Sequence, residues 1–425
     1  MIQLFVLLFG SKRLKQHWWV FFICGVCWMA LGVILIVDAL IDDIRIPPGL
    51  FTVPLILDGL WSLATARNRS GNARSLRVGK AGVFFAISLL ILIVPEHSGF
   101  VIGILVGTFL IVDAGWRGSS ALVLRHARWK NGCVFALVEF GCGAWSYVPW
   151  PTHWEGEIGA DVGTLLVFSA VGACALALRI KRLPLGMPVL SAMSRAWPET
   201  SEPDRGTDPD WEDRADVIVH VWTPTETLAP VHRGISRYVV AKDKHGVLAT
   251  GHAALELLSD VYISHYPAVE IDRDALPLEL LRATAENDLA GRFLPSYADE
   301  CAEWTPSTFQ VTVPGLNGAA IRRFWQAYRL DPTYNLTRRS CAGAVAKALD
   351  AGLDGFAARH ERGFFGLLFH LLAIPEVWVA GFLRLRADAM VWTPGLILDY
   401  ARVISNIVTL LHKRQSQDLA GAKRV

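Results

Sequence analysis

Six apolar runs fill the first 184 residues, at 17–40, 47–66, 80–95, 98–122, 131–150 and 159–179. A spanning helix needs about 20 such residues, so most of these runs qualify; the third needs Val78 and its neighbours. Spans packed this closely leave helices in lipid as the workable fold, because only a helix satisfies its own backbone there. The runs also repeat. "GVCWMALGVILIVDAL" followed by "LILDGLWSLATAR" returns as "GVFFAISLLILIVPE" followed by "FLIVDAGWRGSSALVLR". A weaker third copy reads "GCVFALVEFGCGAWSYVPWP", then "LLVFSAVGACALALR". A period of roughly 50–57 residues predicts three equivalent helical hairpins, an all-α membrane domain over 1–184. The opening run MIQLFVLLFG is too short to span and carries no cleavage site of a signal peptide.

The loops predict the orientation. Lys12, Arg13 and Lys15 precede the first run; Arg67, Arg69, Arg74, Arg77 and Lys80 follow the second. Arg125, Arg128 and Lys130 follow the fourth, and Arg179, Lys181 and Arg182 leave the sixth. The opposite loops hold Asp42, Asp43, Glu96, Glu155, Glu157 and Asp161. The positive-inside rule then places the N-terminus and everything after residue 182 in the cytoplasm. That predicts a multi-pass protein of a bacterial inner membrane, with the bilayer as its first partner. A second copy, paired through the membrane domain, is a further expected partner. Trp18, Trp19, Trp129, Trp150 and Trp154 fit interfacial belts.

Three acids fall inside the runs: Asp58, Asp113 and Glu139. Asp58 and Asp113 occupy equivalent repeat positions. Such acids face a partner or a cavity, so they read either as a proton or ion path or as polar glue between helices. The six runs, the repeat and the small-residue opening of each unit resemble the HdeD family of bacterial membrane proteins, over about 15–183. That resemblance implies a link to acid and stress resistance and supplies no catalytic residues.

Hydrophobic residues make up 52% of the chain and charged ones 19%, against about 25% charged in soluble domains. The net charge of +2 carries no basic signature, so no nucleic-acid partner is expected. Residues 185–216 form an acidic, Pro-rich linker, and at 217 the pattern changes. "DVIVHVWTP", "SRYVVAKDKHGVLATGHAALELL", "DVYISHYP" and "FQVTVP" read as strands, with a turn at His245-Gly246. Helices are expected at about 316–329 and 341–351, giving an α+β domain over 217–425 with an antiparallel sheet. An apolar insert, 364–387, is broken by His370, Pro375 and Glu376; it predicts a helical hairpin that packs on this domain or rests in the inner leaflet.

Of seven cysteines, Cys24, Cys27, Cys133, Cys142 and Cys174 lie in apolar runs and read as packing, the Cys24/Cys27 C-x-x-C spacing included. Cys301 and Cys341 lack the spacing of a metal site, so neither metal nor cofactor is expected. Cys341 is different. Ser340 is a good N-cap, and a thiol in the first helical turn meets unpaired N–H groups that lower its pKa and can hold an oxyanion. A thiolate nucleophile needs a base. His252 begins one strand, and His265, thirteen residues on, sits where a hairpin would bring it to the imidazole as orienter. Glu256, four residues after His252 on the same strand face, competes for that role. His220, His232 and His245 have no comparable setting.

A strand opening G-H-x-A-L, a second strand with a polar residue, and then "YNL…C…V…AL…G" resemble the circularly permuted NlpC-type branch of papain-like cysteine hydrolases. "VWTPGLILDYARVI" resembles its closing segment, so the likeness covers about 217–404. It implies a papain-like fold, Cys341 as nucleophile, His252 as base and His265 as third polar residue. Ser340-Cys341-Ala342 departs from the Asn-Cys-Ser of many relatives, and so does the insert. The function expected is a cytoplasmic thiol hydrolase of amide, peptide or ester bonds, in envelope or acid stress, on an unidentified peptide, protein or lipid. Three other readings fit the same residues: a lipid acyltransferase at the inner leaflet, a non-catalytic stress-resistance scaffold, and a membrane conduit using the three acids.

Overall fold

The computed structural model describes residues 2–41, 48–66, 71–126, 129–148, 150, 153–183, 189, 213–223, 241–242, 248–249, 251–258, 260–269, 279, 281–359 and 363–422. These form two compact units. One holds 18–122 and 128–178; the other holds 1–17, 123–127 and 179–425. Residues 1–17, expected with the membrane domain, therefore belong with the C-terminal unit. The linker expected at 185–216 lies outside the described residues apart from Val189 and 213–216, as do His232, His245 and their turn.

The helical unit is built from six helices among the described residues: α3 (Trp18–Leu40), α4 (Thr52–Ala66), α5 (Gly71–Ile93), α6 (Pro95–Leu124), α7 (Trp129–Trp145) and α8 (His153–Arg182). Their apolar side chains face outward on every side; Val112, Phe135 and Leu137 are all exposed. That distribution fits a lipid surround. Contacts run through small residues instead. A Cβ at Gly32 would lie 2.7 Å from the Gly163 carbonyl, and one at Gly107 would lie 2.9 Å from that of Gly143. Glycine lets these backbones approach, as in other membrane helices. Among the described residues, stretches long and apolar enough to cross a membrane are Trp18–Leu40, Gly99–Leu124, Gly159–Arg182 and, in the other unit, Pro394–His412; the bent pair Phe364–Leu372 and Pro375–Ala387 is also apolar enough when counted as one broken span. Helices α4 and α7 are shorter, at 15 and 17 residues, and α5 opens with Arg74, Arg77 and Lys80.

The second unit begins with α1 (Ile2–Phe9) and α2 (Ser11–Gln16). Helix α1 is too short for a bilayer but apolar apart from Gln3, and Leu4 to Phe9 are buried core residues. Its Leu7 carbonyl accepts from the Gly355 N–H at 2.9 Å.

The sheet of this unit is antiparallel, in the order β5-β4-β1-β8. Its strands are β1 (Arg214–Trp222), β4 (His252–Leu257), β5 (Val261–Ile263) and β8 (Phe309–Asn317). Two-residue strands β2 (Ala241–Lys242) and β3 (Leu248–Ala249) pair separately. A second sheet joins β6 (His265–Pro267), β7 (Leu289–Phe293) and β9 (Thr333–Tyr334). Alternation decides the faces of β1. Val217, Val219 and Val221 are fully buried on one side, while His220 and Trp222 point to the other. A short helix, α9 (Tyr297–Glu303), follows β7 and is capped by Ser296, whose hydroxyl accepts from Asp299 N–H.

The helical layer comprises α10 (Gly318–Tyr328), α11 (Cys341–Leu353) and α14 (Pro394–Ala422), packed on β1, β4 and β8. All of α11 except Lys347 is buried. That explains its run of Ala and Gly: a Cβ at Gly352 would sit 2.9 Å from Ile321. Ile397, Leu398, Ala401, Ile404, Val408 and Leu411 of α14 are fully buried. Its apolar stripe thus serves the core of this unit, despite a composition that would suit a span. The insert forms α12 (Phe364–Leu372) and α13 (Pro375–Ala389), bent by 78°. Buried Arg384 of α13 donates from Nε to Asp350 of α11 at 2.8 Å, and Tyr400 donates to the other Asp350 oxygen at 2.6 Å. These bonds fix α11 against the insert and α14.

Candidate active site

Cys341 opens α11, and the Ser340 hydroxyl caps the helix by accepting from Gly343 N–H at 3.2 Å. The thiol is buried. It is hydrogen-bonded to the His252 side chain and accepts from the backbone N–H groups of Ala253 and Ala342. Burial would push the Cys341 thiol up; the His252 imidazolium and these N–H groups outweigh that and hold it below its ordinary value. The Tyr334 hydroxyl bonds both the Cys341 side chain and its backbone N–H, seven residues upstream.

His252 starts β4 after Gly251, whose φ of +65° disfavours a side chain and where an added Cβ would meet the Trp222 carbonyl at 2.4 Å. Its Nε2 lies 3.1 Å from Glu300 Oε1 and 3.1 Å from Ser264 Oγ. With Nε2 occupied by these two partners, Nδ1 is the ring nitrogen available to Cys341. Tyr266 stacks on the ring at 3.9 Å, and Trp304 meets it edge-on at 6.2 Å. Burial alone would lower the His252 pKa, but the Cys341 thiolate and Glu300 raise it to about 9. Glu300 is fully buried on α9. Burial would raise its carboxyl; hydrogen bonds from His252, Tyr262 and Tyr266 lower it instead.

The structure places the other candidates elsewhere. His265 does not reach His252: its Nδ1 lies 3.0 Å from the Tyr328 hydroxyl and its Nε2 lies 3.4 Å from the Pro332 carbonyl. The reason is strand alternation. The chain passes from β5 to β6 at Ser264, so Ser264 faces His252 and His265 turns into the other sheet. Burial holds its pKa down at about 4, so the ring is neutral. A Cβ at Gly291 would fall 2.5 Å from its Nε2. Glu256 shares the His252 face of β4, but four residues at about 3.3 Å each separate them along the strand. It bonds His220 Nε2 at 3.0 Å, and His220 stacks on Tyr297 at 4.0 Å.

Sequence reading missed Glu300, Ser264, Tyr262, Tyr266 and Tyr334. The available signal for Glu300 was its place four residues after the N-cap in "SYADECAEW", which puts an acid on the inward face of a short helix. Among the described residues, no cluster of three or more His, Cys, Asp or Glu is placed to hold a metal ion.

In the helical unit Asp58, Asp113 and Glu139 each meet a base. Lys80 Nζ lies 2.6 Å from Asp58; Arg117 lies 3.0 Å from Asp113 and 2.9 Å from Glu139. Comparison of the chain with protein-family models, with curated proteins and with solved structures finds no match.

Proposed function

We propose that the chain is a multi-pass membrane protein carrying a thiol hydrolase of amide or ester bonds. The observation that carries this reading is the buried line Cys341–His252–Glu300, in which a thiol at a helix N-terminus meets an imidazole already held by a carboxylate. The Cys341 thiolate attacks the carbonyl carbon, and the Tyr334 hydroxyl, which bonds Cys341, is a donor for the developing oxyanion. The His252 imidazolium gives its proton to the leaving amine or alcohol. Water, deprotonated by His252, then attacks the thioester and releases the acid and the thiolate. Glu300 positions His252, and the stacked Tyr266 keeps water from its face. Six spans, a cytoplasmic location for this unit and kinship with the HdeD and permuted NlpC-type families belong to the same proposal. The basic loops and the His-before-Cys order support them.

Alkylation of Cys341 by iodoacetamide, followed by mass spectrometry of its peptide, tests the site in the full chain. A lone thiol alkylates about tenfold faster per pH unit up to its ordinary pKa of roughly 8.5. Cys341, held lower, should reach its plateau at a lower pH than a lone thiol does. A tenfold-per-unit rise continuing to pH 9 would overturn the proposal. The imidazolium is the general acid, so acyl-probe turnover should fall as pH passes about 9. The linkage has the same sign: a raised His252 pKa stabilises the fold below about pH 6.5, and this is lost as pH rises through about 9.

A further inference from the structure

The insert divides its apolar residues between two faces. Phe364, Leu367, Leu371, Val377 and Ala380 are buried in the C-terminal unit. Phe365, Phe369 and Leu372, spaced four and three apart along one face of α12, are exposed. So are Phe382 and Leu385 of α13, and Phe369 reaches 68% exposure. A helix that crosses a bilayer is apolar all round; a two-faced pair with one face fixed to a domain has the form of an interfacial segment.

Chain continuity places that exposed face. Phe5 packs edge-on against Trp378 at 5.7 Å, and Phe9 lies 5.0 Å from Phe364. The His17 ring stacks on Phe364 at 4.5 Å with an 11° tilt. His17 is the last residue before the apolar helix Trp18–Leu40. Lys15 Nζ donates to the Leu183 carbonyl at 2.7 Å, and Leu183 is the first residue after the apolar stretch Gly159–Arg182. The segment leading to Trp18–Leu40 therefore leaves the unit beside α12, and Leu183 is tied to that segment through Lys15. The exposed stripe thus begins one residue from Phe364, against which the segment leading to the first apolar helix packs. Basic residues on these segments, Lys12, Arg13, Lys15, Lys181 and Arg182, suit anionic headgroups. Arg386 lies over the Phe382 ring at 5.3 Å, a cation at the rim of the stripe.

We propose that the insert is a lipid-contacting element: Phe365, Phe369 and Leu372, with Phe382 and Leu385, enter the acyl region of the adjoining leaflet. The inference is independent of the thiol chemistry. To test it, the fluorescent amino acid acridonylalanine is introduced singly at positions 365, 369 and 382 of the full chain. The protein is placed in nanodiscs of phosphatidylcholine and phosphatidylglycerol containing lipids with doxyl-labelled acyl chains. Leu330, 70% exposed at the end of α10, is the control. All four sites are at the surface, so the fold tolerates the label. Doxyl lipid should quench positions 365 and 369 by about twofold or more and leave position 330 nearly unchanged, as expected for apolar side chains below the headgroups. Equal quenching at 369 and 330 would overturn the proposal. So would protection of 365 and 369 that disappears on dilution into excess empty nanodiscs, which would assign the stripe to a second copy.

Discussion

Both units hold carboxylates among apolar residues, and they neutralise them differently. In the helical unit Asp58 meets Lys80, while Asp113 and Glu139 share Arg117. In the C-terminal unit Glu300 meets His252 and two tyrosines. Arginine stays charged at any physiological pH, so it acts as a fixed counter-charge that ties its partners together. Histidine titrates near neutrality, and its carboxylate can hold it poised beside a thiol. The contrast recurs inside the C-terminal unit, where the buried Asp350–Arg384 pair locks helices together behind the Cys341 helix. Partner identity, more than the buried charge, separates a strut from a candidate reaction centre.

The comparison breaks most readily at Arg117. Arg117→Met removes the cation that Asp113 and Glu139 share, a loss on the scale of the roughly 3 kcal/mol that an acid costs in the bilayer core. Thermal unfolding in nanodiscs should show the helical unit weakened, and adding Asp113→Asn and Glu139→Gln should restore it. Cys341 alkylation should not change in either variant. Failure of the triple variant to recover would mean the two acids do more than hold helices.

His252→Ala attacks the other side of the comparison. Without the imidazolium, burial pushes the Cys341 thiol up, and alkylation at pH 7 should slow by on the order of 100-fold. A change below threefold would remove His252 as the thiol's partner. Glu300→Gln is a subtler probe. It should slow alkylation at pH 7 about tenfold and move the loss of acyl turnover to a lower pH, because the imidazolium loses its carboxylate. His265→Gln should leave that pH profile in place, since its ring faces Tyr328 and Pro332. If His265→Gln moves the profile and Glu300→Gln does not, the roles assigned here are reversed.

Some of this was readable in the chain. The apolar runs stand out because a bilayer imposes length on every span, and the strands at 217–222 and 252–257 stand out because alternation marks a half-buried sheet. The N-capped Cys341 is a local signal as well, since Ser340 and the first helical turn are consecutive residues. The third group at His252 was not readable. Spacing along one hairpin pointed to His265, yet the chain changes sheets at Ser264, and one residue of phase turns a side chain to the opposite face. Glu300 arrives from a helix 48 positions away in sequence, and no periodicity connects the two.

The same division holds for the apolar segments. Sequence alone determined that this chain must hide long apolar helices and carries a thiol at a helix start, because hydrophobic length and capping are properties of neighbouring residues. Which apolar helices meet lipid and which meet protein was decided by tertiary structure. Pro394–His412 has the composition of a span but lays its stripe on a sheet, and Ile2–Phe9 is core although it precedes the first apolar run. The physical reason is that hydrophobic burial is non-directional: water is excluded equally by a strand, a helix or an acyl chain. Only the folded arrangement fixes which of them is there.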